Sequence, residues 1–530
     1  MSAEANKGSE QVRSAELVAA LCLATDLGMG FPFEHGLHTT LIAMRLGDRL
    51  GIDRSTALQT YYACLLSHAG CTTDAHVTAE IFRDSLTARF NPVMYGPRRR
   101  MLSGLLRSLP EPGRAAPVRA LQVARRLPRV AREVPPQIAA ACEVAAMLAG
   151  RVGLPPSVAG LLAFITDRWD GRGLLRRAKG EQIPLPMRIV HVATDAALQR
   201  VLVGADAAVR VVRERAGGAF DPEVAACLAD NADEILPFDE PESWEETLAR
   251  EPGRQRMLTG EGIDRALAAM GSFADLISPN LAGHSAGVAE LAEAAAQRCG
   301  IGLEGTTTVR RAALVHDLGR VAIGAQIWEK PGPLSADEWE QVRLHPYHTE
   351  RILSRSSFLS ALGAVAGAHH ERLDGVGYHR AVSGADLTMP ARVVAAADAY
   401  HAMTEPRGHR PAMRSADAAA ALAREARAGR LDGDAVTAVV EAAGQRAPRL
   451  QRPAGLTERE AEVIAMLARG LQTKQVARAL GISIKTADRH VQNAYRKVGV
   501  SSRAAATLFA MEHGLVAWGE LPMVRRPTRS

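Results

Sequence analysis

The chain repeats itself. EHGLHTTLIAMRLGDRLGI aligns with GHSAGVAELAEAAAQRCGI, where His35 to Ile52 and His284 to Ile301 both span seventeen steps. Downstream, RWDGRGLLRRAKGEQIPLPMRIVHVATD, ending at Asp195, parallels RLDGVGYHRAVSGADLTMPARVVAAAD, ending at Asp398, with a one-residue offset. A correspondence of this extent duplicates a whole domain, so two parts of the chain must share one architecture. Apolar residues recur at helical rather than alternating spacing, and aromatics make up only 4% of the chain. The expected fold class is all-α: two tandem helical domains over 14–245 and 258–440, then a smaller four-helix domain over 454–517. LPFDEPESWEETLAREPGRQ, rich in Pro and charge, marks a partly exposed boundary near 250, and AAGQRAPRLQRPAGLTERE a second linker near 445. The tail LPMVRRPTRS reads as frayed.

A formal charge of +6 with pI near 9.1 permits nucleic-acid contact without establishing it. Cys22, Cys64, Cys71, Cys142, Cys227 and Cys299 stand singly with no CxxC pair, as reduced thiols do. The N-terminus has no apolar signal core, and no run of about 18 uncharged apolar residues would span a bilayer; a cytoplasmic protein that does not enter membranes is expected. Arginines and prolines crowd GPRRRMLSGLLRSLPEPGRAAPVRALQVARRLPRV, which reads first as a solvated loop and helix face and second as a surface for an anionic partner.

Nine of the sixteen histidines fall between His284 and His409. Imidazoles and carboxylates on separate helices are what a pair of borderline transition metals requires, with a carboxylate such as Asp317 able to bridge them. HDLGR at 316, KPGPL at 330, HP at 345, HHERLDGVGY at 369 and AAADAYHAM at 395 resemble the HD-GYP family of metal-dependent phosphohydrolases over roughly 258 to 440. The resemblance implies that His284, His316, Asp317, His345, His369, His370 and Asp398 are metal ligands. It also implies two divalent transition metals, iron or manganese, and hydrolysis of cyclic di-GMP by metal-activated water. Asp317 and Arg320 are the catalytic candidates, and Lys330, Arg407 and Arg410 are candidates for holding substrate phosphates. The ligand set alone also suits oxygen-activating dinuclear iron; the loop and KPG motifs argue for phosphodiester chemistry. Three positions depart from the family pattern: Arg320 replaces a lysine and keeps a cation without a ready proton, His379 replaces the proline of the name-giving triplet, and Asn280 stands where trinuclear members place a glutamate. His348, His401 and His409 read as surface or helix-capping residues.

The first repeat keeps His35, His68 and Asp195, but Ala69 replaces the bridging carboxylate and Ile165 with Thr166 replace the paired histidines. It reads as a catalytically silent copy that packs, dimerises or senses a ligand; a weak single-metal site from its three surviving residues is the alternative.

LTEREAEVIAMLARGLQTKQVARALGISIKTADRHVQNAYRKVGVSSRAAATLFAMEHGL opens on a capping box, Thr457 with Glu460, and continues through short helices punctuated by Gly470, Gly481 and Gly499. These motifs resemble the LuxR-type helix-turn-helix domain. Residues Leu456 to Val516 carry nine Lys or Arg against five Asp or Glu, a net +4. The resemblance places Asp488, Arg489 and Gln492 toward bases and Lys474, Lys485, Thr486, His490, Asn493 and Lys497 toward phosphates of double-stranded DNA, read as a homodimer. The expected function is a transcription regulator carrying a phosphodiesterase-like domain for a cyclic dinucleotide. The alternative is a non-catalytic, metal-dependent ligand sensor that switches DNA binding.

Overall fold

The computed structural model describes residues 10–71, 81–82, 95–111, 113–237, 242–382, 384–408, 410–446, 453–513 and 515–516. Among them almost everything ordered is helical, and the only strands are Gln11–Arg13 and Met257–Thr259, paired antiparallel with Val12 opposite Leu258. The chain forms two compact units, Met1–Gly283 with Asp317–Ser360, and His284–His316 with Ala361–Ser530. None of the described helices is long and apolar enough to cross a membrane, and all six cysteines are free.

In the first unit the helices Ser14–Met29, His35–Leu50, Arg54–Leu66 and Leu185–Val203 pack around a core that includes Ile42, Leu46, Ile189 and Phe220. The helix Ser14–Met29 is buried over most of its length because it carries almost no charge, and a glycine in the left-handed region, Gly30, ends it. One flank packs against the segment Leu318–Ala322 and the helix His345–Leu353. Ser356 Oγ donates to Glu16 at 2.5 Å, Arg355 pairs with Glu34, and the Arg351 guanidinium lies 3.9 Å from the centre of the Phe33 ring.

In the second unit His284–Arg298 packs on Leu303–Val315, Met389–Thr404 and Gly433–Ala442. The expected duplication is visible in the elements. Each repeat starts a helix at its first histidine, His35–Leu50 and His284–Arg298, and lays it against a later helix that carries the aspartate, Leu185–Val203 and Met389–Thr404.

The Pro- and charge-rich boundary near 250 is exposed in part, at Glu242 and Glu245, while its helix Ser243–Ala249 buries Trp244, Thr247 and Leu248. Just after it, buried Glu251 accepts from Arg13 and from Tyr62 at 2.6 Å. Charge density alone does not distinguish this acid, which has internal partners, from the exposed Glu242 and Glu245. The arginine-rich stretch forms the helices Arg98–Ser108 and Ala116–Arg151, the latter running through Pro128, Pro135 and Pro136. The tail from 517 onward and the linker at 447–452 lie outside the described residues.

Gly319 fixes how closely Leu318–Ala322 approaches His345–Leu353. A Cβ there would sit 2.2 Å from the His345 carbonyl oxygen and 2.4 Å from the Thr349 nitrogen, both backbone atoms, while the Gly319 N–H donates to Thr349 Oγ1 at 2.8 Å. Gly319→Ala is therefore expected to cost about 1–3 kcal/mol through overpacking, read as a lower urea midpoint of the full chain; an unchanged midpoint would contradict the close approach.

Candidate metal centre and nucleic-acid interface

The seven expected ligands divide at the peptide bond between His316 and Asp317, where the chain passes from one unit to the other. In the second unit His284 is the first residue of its helix, His316 caps the end of Leu303–Val315, and Asp398 lies in the middle of Met389–Thr404. The Asp398 carboxylate is the shared centre. Its Oδ1 is 3.1 Å from His284 Nε2 and 3.6 Å from His316 Nε2, and its Oδ2 is 3.8 Å from His370 Nδ1. His369 stands edge-on to His316 with ring centres 4.8 Å apart, and stacks by His370 at 4.2 Å. His284, His316, His369 and Asp398 are buried and His370 is half-buried. Burial pushes the Asp398 carboxyl up, but hydrogen bonds from His284 and His316 and the nearby His370 more than offset this and hold it well below the usual carboxylate range.

In the first unit Asp317, fully buried, has Oδ1 at 3.3 Å from His345 Nε2 and Oδ2 at 2.6 Å from Arg320 Nη1. The Arg320 guanidinium rests over Trp328 at 5.2 Å, and Trp328 meets His345 edge-on.

Three of these histidines share one arrangement. His316 Nδ1 meets the Ala313 carbonyl at 2.7 Å, His345 Nδ1 that of Val342 at 2.6 Å, and His369 Nδ1 that of Ala366 at 2.6 Å. With the proton placed on Nδ1 each donates to a backbone oxygen and turns an Nε2 lone pair outward, as metal-bound histidines do. Buried imidazoles with this tautomer, clustered on ionised carboxylates, are a donor set that fits borderline divalent metals. Ligand atoms of His284, His316 and Asp398 lie within 4.8 Å of one another, as do those of His284, His401 and Glu405.

Other expected site residues are committed elsewhere. Lys330 pairs with Glu338 at 2.5 Å, Arg407 with Glu405 at 2.9 Å, and Arg410 donates to the Met403 and Glu405 carbonyls at 3.2 and 3.3 Å. Asn280 donates to Glu329 at 3.2 Å. The loop with Gly377, Tyr378 and His379 is organised by buried Glu371, which accepts from the Arg380 and Val382 backbone N–H groups at 3.0 and 3.3 Å. A Cβ on Gly377 would press on Glu371. His401 corrects the sequence reading: it is not a surface or capping residue but stands against His284, ring centres 5.3 Å apart, beside Glu405. Glu371 and Glu405 were missed because single acidic residues in helix ends and loops carry no spacing signal. His409 lies outside the described residues.

The vestigial centre of the first repeat is built differently. Arg215 Nη1 lies 2.6 Å from both oxygens of Asp195, and both residues are buried. A guanidinium thus supplies the positive charge that a cation would supply. His35 is buried and, among the described residues, neither of its ring nitrogens has a hydrogen-bond partner, and His68 contacts Ser67. Burial, then the charges of His68 and His38, lowers His35 to about 3, so it is neutral. Among the described residues every group of three ligating side chains lies in the second repeat.

At the C-terminal end the helices are Glu458–Ala468, Thr473–Ala479, Ile484–Val498 and Arg503–Glu512. Thr457 and Glu460 form the expected capping box, and Ser483 accepts from the Thr486 N–H. Ala487 and Ala494, seven residues apart, bury one face of Ile484–Val498, with Val491 and Tyr495 packed beside Val463 and Leu467. The opposite face exposes Lys485, Thr486, Asp488, Arg489 and Gln492; Lys474 is exposed, and His490 and Asn493 are half-buried. Exposed Lys497 is tethered at the surface, its Nζ 2.6 Å from Glu460 and 3.1 Å from the Gly455 carbonyl.

Residues 270–435 match the HD domain family, and residues 454–510 match the bacterial regulatory proteins of the luxR family. A 3'3'-cGAMP-specific phosphodiesterase 3 of Vibrio cholerae is 28% identical over 404 residues, 75% of this chain and 88% of that protein. A cyclic di-GMP phosphodiesterase response regulator of Xanthomonas campestris is 34% identical over 119 residues, 22% of this chain and 32% of that protein. The crystal structure of a cyclic GMP-AMP specific phosphodiesterase of Vibrio cholerae superposes with TM-score 0.58 at 22% identity, over 82% of this chain and 98% of that one, a likeness of fold.

Because Arg215 and Asp195 compensate one another away from water, Arg215→Ala is expected to destabilise the chain by about 3–5 kcal/mol, whereas replacing both with apolar residues costs far less. Urea unfolding of the two variants checks this; equal losses would mean that the pair is not a compensated charge.

Proposed function

The chain joins an HD domain, homologous to those of cyclic di-GMP and cyclic GMP-AMP phosphodiesterases, to a luxR-type DNA-binding domain, and from this we propose that it is a metal-dependent phosphodiesterase for a 3'3'-linked cyclic dinucleotide that binds DNA as a homodimer. The observation that carries the reading is the repeated histidine arrangement, in which buried imidazoles give Nδ1 to a carbonyl and present Nε2 beside Asp398 or Asp317. His284, His316, Asp317, His345, His369, His370 and Asp398 hold two divalent metals, iron or manganese. When bound, such a pair activates water and neutralises phosphate charge.

The chain's own residues set the rest. Hydrolysis of one phosphodiester adds a water oxygen to phosphorus and releases a ribose oxygen, which takes up a proton; the product is a linear dinucleotide. Arg320, fixed by Asp317 and Trp328, steadies negative charge and keeps its proton, because a guanidinium does not deprotonate in proteins. Tyr378, 4.4 Å from the His370 ring, offers an aromatic face to a base. Of the three phosphate candidates, Lys330 serves substrate by exchanging its half-exposed pairing with Glu338 for a phosphate, while Arg407 and Arg410 brace the segment after Asp398.

Elemental analysis paired with hydrolysis of cyclic di-GMP and 3'3'-cGAMP tests the proposal. The wild type is expected to hold two metals per chain and linearise at least one of these substrates, and Asp317→Ala to lose turnover. Metal without turnover on either substrate would replace the enzyme by a metal-dependent sensor. A wild type that takes up no metal under anaerobic iron or manganese loading would end the dinuclear reading.

For DNA, Arg489→Ala is expected to weaken specific binding by about 1–3 kcal/mol and relax sequence preference. Lys474→Ala should weaken all sequences alike and reduce the slope of log K against log salt by about one. Titrations of full chain and variants at several salt concentrations read both, and equal behaviour of the two variants would contradict the assignment of one to bases and the other to phosphates.

A further inference from the structure

His316, His345 and His369 each find a backbone acceptor three residues earlier, where the chain has just formed a helix or turn. His284 meets a side-chain carboxylate at the same ring nitrogen. It opens its own helix, and the residues before it, Pro279–Leu281, form a short 3-10 turn followed by Gly283 in the left-handed region. Its Nδ1 instead lies 2.8 Å from Glu405 Oε2. The other ring nitrogen, Nε2, is the one that faces Asp398 at 3.1 Å.

We propose that Glu405 is the positioning residue of the metal centre: its carboxylate accepts the Nδ1 proton of His284 and so fixes the tautomer and ring orientation that present Nε2 to a cation. A neutral imidazole has one N–H. With that proton spent on Glu405, a neutral His284 turns its Nε2 lone pair toward Asp398 Oδ1, a contact made favourable either by a second proton on Nε2 or by a cation that takes that proton's place. The carboxylate is itself restrained. Arg407 Nη2 pairs with Oε2 at 2.9 Å, and His401 Nδ1 lies 3.2 Å from Oε1. Arg407 therefore acts on the centre through Glu405. Gly287, one helical turn beyond His284, leaves the space that the His401 ring occupies, since a Cβ there would come within 2.0 Å of His401 Nε2.

The inference rests on the proposed metal centre, and the experiment separates the two. Manganese affinity and stoichiometry of the full chain are measured by chelator competition and elemental analysis for wild type, Glu405→Ala and Glu405→Gln, with thermal unfolding of each metal-free protein recorded alongside. Removal of an outer-shell partner of a metal-bound histidine typically weakens metal affinity about 10–100-fold. Glu405→Ala is expected to show a loss of that order at unchanged stoichiometry of two, with little change in metal-free stability. Glu405→Gln, whose amide oxygen still accepts from Nδ1, should recover part of the affinity. Equal affinity in wild type and Glu405→Ala overturns the proposal while leaving the centre intact. Three metals in wild type falling to two in Glu405→Ala overturns it as well, because Glu405 would then be a ligand. A wild type without metal overturns both the positioning role and the centre.

Discussion

A carboxylate in the middle of a buried helix has to be compensated, and each repeat of this chain is organised around that requirement. Desolvation alone would cost several kcal/mol for an isolated ionised group. In the second repeat the compensation comes from imidazoles: His284, His316 and His370 surround Asp398. In the first it comes from one guanidinium, with Arg215 meeting both oxygens of Asp195. The helices that carry the two aspartates are each laid against the histidine-led helix of their own repeat, so one scaffold accommodates both answers. The difference is functional. An imidazole that gives up the proton on Nε2 has a lone pair for a cation, whereas the guanidinium of Arg215 has none to offer and already meets both oxygens of Asp195.

The duplication and the helical class were legible in the sequence because each leaves a periodic or spaced signal, and the histidines that cluster on Asp398 stood out by their density. The two histidine-led helices follow from the matched spacing of His35 to Ile52 and His284 to Ile301. The helix-turn-helix end was readable almost to the residue, since Thr457 and Glu460, Ser483 and Gly499 are local caps whose physics is contained in a few neighbouring positions. What stayed hidden depends on pairings between residues far apart in the chain. Arg215 is an ordinary helical arginine until Asp195 is placed beside it. Glu251 sits in a stretch whose charge suggests solvent, but Arg13 and Tyr62 lie more than 180 positions away and bury it. Lys497, read as a phosphate contact, spends its ammonium on Glu460, the same carboxylate that closes the capping box. A charge count cannot tell a cation that waits for a ligand from one that already has a partner.

Within the C-terminal domain the same division recurs on a smaller scale. Ile484–Val498 turns small residues inward, Ala487 and Ala494, so that the helix approaches Glu458–Ala468 closely. Its cations and amides then fall on the outer face by the helical repeat alone. Asp488 sits among them and lies 3.5 Å from Gln492. That contact joins two exposed side chains one helical turn apart on the outer face.

The silent repeat has a physical role that does not require a ligand. Glu34 adopts a left-handed backbone conformation with φ 73°, uncommon for a residue with a side chain, directly before His35. Its carboxylate, 5% exposed, pairs with Arg355, while Phe33 beside it lies under Arg351 and Glu16 accepts from Ser356. These three contacts clasp the chain on either side of Leu353, immediately after the helix that His345 begins. A metal ligand is useful only when its helix is held to within fractions of an ångström. The first repeat, in which Arg215 meets Asp195, thus contributes Glu16, Phe33 and Glu34 to the packing around the end of the His345 helix.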